Sequence, residues 1–127
     1  MIEFKAVANK SNLQNDEQKT LYYPRVCNSI KIEPDRLIKD LCQNSSLNPI
    51  SAKHVLFGLE YLLEEYMKRG YRVELPGIGI ISPSIKGTPA ESPSKLSSRN
   101  ITSTHINFIA NKRLKNALKK VDFKKQV

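Results

Sequence analysis

The segment between Ser51 and Gly70 narrows the choice of fold more than any other part of the chain. Its apolar residues Val55, Leu56, Leu59, Leu62, Leu63, Tyr66 and Met67 recur every three or four positions, which is the spacing of one side of an α-helix. Ser51 suits the N-cap of such a helix and Gly70 a left-handed stop just past its end. The stripe is wider than a surface helix needs. A chain of 127 residues has little other material with which to bury a helix on all sides. The expectation is that this helix is covered on one side by its own chain and on another by a second copy.

The remaining elements are shorter. Ile2, Phe4 and Ala6 alternate with polar residues, as in a half-buried strand over residues 2–8. Asn9 to Lys19 reads as a polar loop, followed by an extended piece at Leu21-Tyr22-Tyr23 that Pro24 keeps out of helix. Glu33 to Asn44 reads as a first helix, with Pro34 at its opening position and Leu37, Ile38, Leu41 and Cys42 on one face. Arg72–Leu75 and Ile78–Ile81 form a hairpin about the turn signal Pro76-Gly77, and Gly79 marks a close backbone approach. Ser82 to Ser98 holds three prolines and six serines. It cannot build a core and reads as an extended, mobile excursion that orders on binding. Strand character resumes at Ile101–Ile109, and Ala110–Phe123 reads as a last helix with Leu114, Ala117, Leu118 and Val121 on its apolar face.

Charge is distributed unevenly. The formal net charge is +9. Residues 1–81 together hold 11 Lys/Arg and 10 Asp/Glu, whereas Ser82 to Val127 hold 10 and 2. A one-sided cationic third is the electrostatic mark of a polyanion binder. Little points to catalysis. His54 and His105 each stand without a fixed carboxylate or thiolate, and no phosphate loop, metal spacing or nucleophile motif occurs. Cys27 and Cys42 lack zinc spacing and cannot form a disulfide framework, so both are expected as free thiols. No apolar run approaches the roughly 20 residues of a membrane span, and the first ten residues lack a signal segment. The expectations are therefore a cytoplasmic protein that is not an enzyme, with no cofactor, metal or small-molecule substrate.

Two motifs carry a resemblance. Val73-Glu74-Leu75-Pro76-Gly77-Ile78-Gly79, after a helix ending Lys68-Arg69-Gly70, resembles the Val-Glu-Leu-Pro-Gly-Phe-Gly hairpin of the HU and integration host factor family of bacterial histone-like DNA-binding proteins. Phe108 to Leu118 is similar to that family's final Phe-Lys-Ala-Gly-Lys-Ala-Leu-Lys segment, at a similar separation. The likeness spans roughly Ile32 to Val121. The additional N-terminal strand with Tyr22-Tyr23-Pro24-Arg25, and the ending Val121-Asp122-Phe123-Lys124-Lys125, resemble a divergent HU-like branch of Bacteroidetes. The resemblance implies an α+β fold of HU/IHF type: a helical base, a β-sheet with a projecting β-arm, and an intertwined homodimer. The chain would be one HU-like DNA-binding domain over residues 1–127, with an N-terminal strand extension over about 1–30 and an arm over about 82–100. It further implies a nucleoid protein that binds duplex DNA in the minor groove and bends it.

On this reading Lys112, Arg113, Lys115 and Lys119 contact phosphates, helped by the backbone N–H groups that open the last helix. Lys86, Lys95 and Arg99 line the arm along the minor groove. Nothing suggests base readout, so sequence preference should be weak and set by DNA deformability. The family's arm-tip Arg-Asn-Pro is Arg99-Asn100-Ile101 here, without its wedge proline, and Pro89 or Pro93 are the candidate substitutes. Two other readings share the same charge pattern. One is a dimeric protein-interaction or structural module of the same fold that has lost DNA binding. The other is an RNA-binding protein, since the phosphate contribution is common to both nucleic acids.

Overall fold

The computed structural model describes residues 1–10 and 20–127, so most of the Asn9–Lys19 loop lies outside the described residues. In chain order the elements are β1 (Ile2–Lys10), β2 (Thr20–Val26), α1 (Pro34–Gln43), α2 (Pro49–Lys68), β3 (Val73–Leu75), β4 (Gly79–Gly87), β5 (Ile101–Ala110), α3 (Lys112–Lys119) and β6 (Phe123–Lys125). Two short 3-10 turns, Pro93–Lys95 and Ser98–Asn100, lie between β4 and β5. The chain divides into two compact units, one formed by Met1–Glu33 with Ala117–Val127 and the other by Pro34–Asn116.

The first unit is a three-stranded sheet of order β2-β1-β6. β1 pairs antiparallel with β2, with Phe4 opposite Val26, Lys5 opposite Arg25 and Val7 opposite Tyr23. It pairs in parallel with β6 through Ile2–Phe123, Glu3–Lys124 and Phe4–Lys125. This corrects the last helix expected over Ala110–Phe123. The helix stops at Lys119, Val121 N–H closes a turn on the Leu118 carbonyl, and Asp122 C=O accepts the Ile2 amide. The free edge of β1 offers ladder partners that a lone terminal helical turn lacks. Val121 and Phe123, β-branched and aromatic, favour extended backbone.

The second unit holds the two helices and the sheet β3-β4-β5. α1 packs on α2, and the two buried apolar residues, Ile38 and Ala52, come one from each helix. α2 begins earlier than expected. Asn48, not Ser51, is the N-cap: its Oδ1 accepts the Ser51 amide at 2.8 Å and Pro49 occupies the first helical position. Pro49 has no amide to satisfy, and Asn48 caps as well as serine does. The far end closes as a Schellman motif. Tyr71 N–H reaches the Tyr66 carbonyl and Gly70 N–H that of Met67, both at 3.0 Å. Gly70 sits at φ +76°, and the Tyr66 and Tyr71 rings lie 6.2 Å apart over the turn.

β3 turns into β4 through Leu75-Pro76-Gly77-Ile78. Ile78 N–H bonds the Leu75 carbonyl at 3.0 Å and Gly77 has φ +70°, the conformation of a type II turn with proline second and glycine third. β4 then continues to Gly87, six residues into the Ser82–Ser98 stretch that composition alone marks as irregular. The partner strand β5 supplies the reason, since every residue from Gly79 to Lys86 has an opposite number between Ala110 and Ser103. Gly79 is required by that pairing. A Cβ there would collide with the Ile109 carbonyl oxygen and lie 2.6 Å from the Phe108 ring.

Candidate nucleic-acid interface

The β4–β5 hairpin separates its side chains by character. Ile81, Pro83 and Ile85 lie opposite Phe108, Ile106 and Thr104 on one face. Ser82, Ser84 and Lys86 lie opposite Asn107, His105 and Ser103 on the other. Lys86 thus stands at the distal end of the polar face. Beyond it the chain forms a structured tip. Thr88 N–H donates to the Asn100 carbonyl at 2.8 Å. The Asn100 side-chain amide donates to the Thr88 carbonyl and hydroxyl, while its Oδ1 accepts the Ser97 amide at 3.0 Å. Ser97 Oγ in turn accepts the Arg99 amide. A Cβ on Gly87 would strike the Asn100 carbonyl oxygen, so strand end and tip meet backbone to backbone.

Lys95 and Arg99 close the two 3-10 turns of this tip. Lys95 has one acidic neighbour, Glu91, at 3.4 Å. Both groups are exposed, so that pair contributes little and leaves the lysine available to another anion. Between the two cations lies Leu96, an apolar side chain 56% exposed. Pro89 and Pro93 are exposed as well: Pro89 lines a cavity at the tip with Leu96 and Ile101, and Pro93 begins the first 3-10 turn.

The other four cations sit on α3. Lys112, Lys115 and Lys119 follow at steps of three and four and share one helix face, with Leu114, Ala117 and Leu118 on the opposite side. Arg113 flanks the cationic face. All four are exposed. Among the described residues no carboxylate comes within ion-pair distance of them. The helix start is fixed by Asn111. Its backbone N–H bonds the Ile78 carbonyl at 2.7 Å, tying α3 to the Pro76-Gly77 turn, and its Oδ1 accepts the Arg113 amide at 2.9 Å. That amide is therefore already engaged and is not free for a phosphate.

The seven cations singled out from the sequence thus fall into two groups rather than one. Lys86, Lys95 and Arg99 gather at the distal end of the hairpin, and the α3 set begins at its proximal end. The ten residues of β5 separate them, a span of about 30 Å at the usual strand rise.

Known proteins agree with this layout. Residues 1–125 match the family model described as an HU domain fused to wHTH, Ig, or glycine-rich motif. Among curated proteins none matches the sequence. Among solved structures the chain is similar to one from Bacteroides vulgatus ATCC 8482 described as a "Putative bacterial DNA binding protein", with TM-score 0.67 and 13% identity. The likeness covers 98% of this chain but 48% of that one, so the present chain spans about half the length of its structural relative. With its family hairpin, its tethered cationic helix and a matching family model over nearly its whole length, the chain belongs to the HU family, in the group whose HU domain is fused to other modules.

Proposed function

We propose that this chain is a histone-like DNA-binding protein that acts as a homodimer, grips duplex DNA by its phosphates with little sequence specificity, and serves in the nucleoid rather than in catalysis. The observation that carries the reading is the pairing of two exposed cationic groups at the ends of one hairpin. A separation of about 30 Å is close to the roughly 34 Å of one turn of B-DNA. Phosphates on neighbouring turns of one duplex would then meet α3 and the tip together. Lys86, Lys95 and Arg99 follow the minor groove, with Leu96 the apolar group placed to enter a base step and bend the helix.

The homodimer rests on exposed apolar surface. The chain presents 11,536 Å² to solvent. A monomeric protein of its mass would present about 6,800 Å², and its two units counted as separate proteins about 8,200 Å². On α2, Leu56, Leu59 and Leu63 are half-buried on the side of Ala52. Phe57 and Tyr61 lie on the opposite side and are 62% and 65% exposed. Ile106 and Phe108, on the apolar face of the hairpin, are exposed too. A second copy would cover these surfaces and leave the polar hairpin face to DNA.

The test is binding to a duplex of about 35 base pairs over a range of salt, with Lys112→Glu/Lys115→Glu alongside. About six phosphate contacts predict a roughly thousandfold loss of affinity between about 50 and 200 mM salt. The charge-reversed variant should bind far more weakly while still forming a dimer. A flat salt response, or unchanged affinity in the variant, would remove the phosphate mechanism. Competition by RNA and by single strands, each weaker than duplex, is expected in the same titration.

A further inference from the structure

We propose that the β2-β1-β6 sheet carries a second phosphate-binding surface, built from Lys5, Arg25 and Lys124, which extends the contact with duplex DNA beyond the hairpin and α3. This rests on the reading of the protein as a duplex binder and adds a site to it. Strand pairing creates the surface. Lys5 stands directly opposite Arg25, and Lys124 stands opposite Glu3, which shares a face with Lys5 two residues on. One face of the sheet therefore carries Lys5, Arg25, Lys124, Glu3, Val7 and Tyr23. The other carries Ile2, Phe4, Ala6, Ala8, Tyr22, Val26 and Phe123.

Three observations mark the basic face as a site for a polyanion. First, directly opposite cross-strand residues have Cβ atoms about 5 Å apart, and like charges so placed oppose pairing. The Lys5–Arg25 pair has that arrangement at the centre of the β1–β2 ladder. Second, the one acid on this face is already engaged: Glu3 accepts a hydrogen bond from the Asn28 side-chain amide at 2.7 Å. None of the three cations has a carboxylate within ion-pair range among the described residues. Third, all three cations are exposed, and Tyr23 is exposed between them and the far end of the sheet. It gives a flat, partly polar ring beside the charges, suited to a sugar–phosphate backbone. The opposite face is apolar, so the basic face is the one fitted for a charged partner.

The experiment compares three forms on a duplex of about 35 base pairs: the unaltered chain, Lys5→Gln/Arg25→Gln and Lys112→Glu/Lys115→Glu. Thermal unfolding of Lys5→Glu is measured in parallel. Two lost phosphate contacts should lower the slope of log affinity against log salt by about 1.8, roughly a thirtyfold loss at about 150 mM salt. Lys5→Glu, which puts an acid opposite Arg25, should raise Tm and still weaken binding, because relief of repulsion and loss of a DNA contact act on different readouts. Unchanged slope and affinity in Lys5→Gln/Arg25→Gln, with binding impaired in the α3 variant, overturns the sheet site and leaves the hairpin–helix mechanism standing. A lowered Tm in Lys5→Glu also overturns it, since the cation pair would then be serving the fold. Failure of the unaltered chain to bind duplex overturns both.

Discussion

Truncating Phe57 to alanine should divide the dimer. The ring lies on the side of α2 facing away from Ala52 and Leu59, and 62% of the residue is exposed in the single chain. An aromatic side chain of about 200 Å² would thus have about 125 Å² left to bury, worth about 3 kcal/mol at 25 cal/mol per Å². Each dimer holds two copies, so the ceiling is about 6 kcal/mol. Alanine keeps part of the contact, and association does not return area at full value. The expected loss is therefore about 3–5 kcal/mol, or two to four powers of ten in the dimer dissociation constant. Sedimentation from nanomolar to tens of micromolar concentration reads that constant directly. The unaltered chain should sediment as a dimer over most of this range, with a Tm that rises with concentration because association stabilises the folded form. Phe57→Ala should move the midpoint upward by at least a hundredfold. If the unaltered chain is monomeric at tens of micromolar with a concentration-independent Tm, or if Phe57→Ala leaves the midpoint in place, the exposed face of α2 is not the dimer contact.

Gly79→Ala should destabilise the fold by about 2–3 kcal/mol, because the added methyl meets the Ile109 backbone and the Phe108 ring with no flexible end to yield. A lowered denaturant midpoint at unchanged m-value checks this. Asn100→Ala removes the side-chain bonds that knit the tip, at about 1 kcal/mol for such exposed bonds. Its signature is local: faster amide exchange at Thr88 and Ser97 while the α2 amides keep their protection. Leu96→Ala should reduce the DNA bend seen by fluorescence transfer across a doubly labelled duplex and alter the salt slope little, since it removes a wedge and no charge. An unchanged bend would reassign that role to Pro89 or Pro93.

The parts legible in the sequence were those whose cause is local. Pro34 and Gly70 mark a helix start and a helix end through backbone geometry that one residue dictates. Pro76-Gly77 names its own turn. The α3 cations are recognisable because they crowd into one short segment with a single sign of charge. What the sequence hides depends on partners distant along the chain. Residues 82–87 have strand-poor composition, with Pro83 and two serines, yet lie in β4 because Ile101–Ala110 supplies a complete ladder opposite them. Phe123–Lys125 resembles the frayed end of a helix until the edge of β1 is known to be vacant beside it. Lys5, Arg25 and Lys124 were invisible as a group for the same reason. Residues 1–60 balance 8 Lys/Arg against 7 Asp/Glu, and only strand register collects three cations on one face. Charge counting along a chain detects a site on a helix far better than one assembled across a sheet.

Both sheets solve the same problem in the same way. Each divides its side chains into an apolar face that needs protein and a polar, cationic face that needs a counter-charge. A chain at +9 that forms a dimer brings +18 together, and that repulsion opposes association unless the charge is kept away from the interface. Sorting the cations onto the faces opposite the apolar ones meets this requirement, because the surfaces that would meet in a dimer, on α2 and on the Ile81–Phe108 side of the hairpin, are uncharged. The arrangement also sets a length requirement on the ligand. With the tip and α3 cations about 30 Å apart, a duplex much shorter than about 10 base pairs can engage one group or the other but not both. Affinity should therefore rise steeply as the duplex passes one helical turn, and more gradually beyond it. That profile separates a protein that bridges successive turns from one that holds DNA through a single cationic patch, for which additional length adds only more equivalent places to bind.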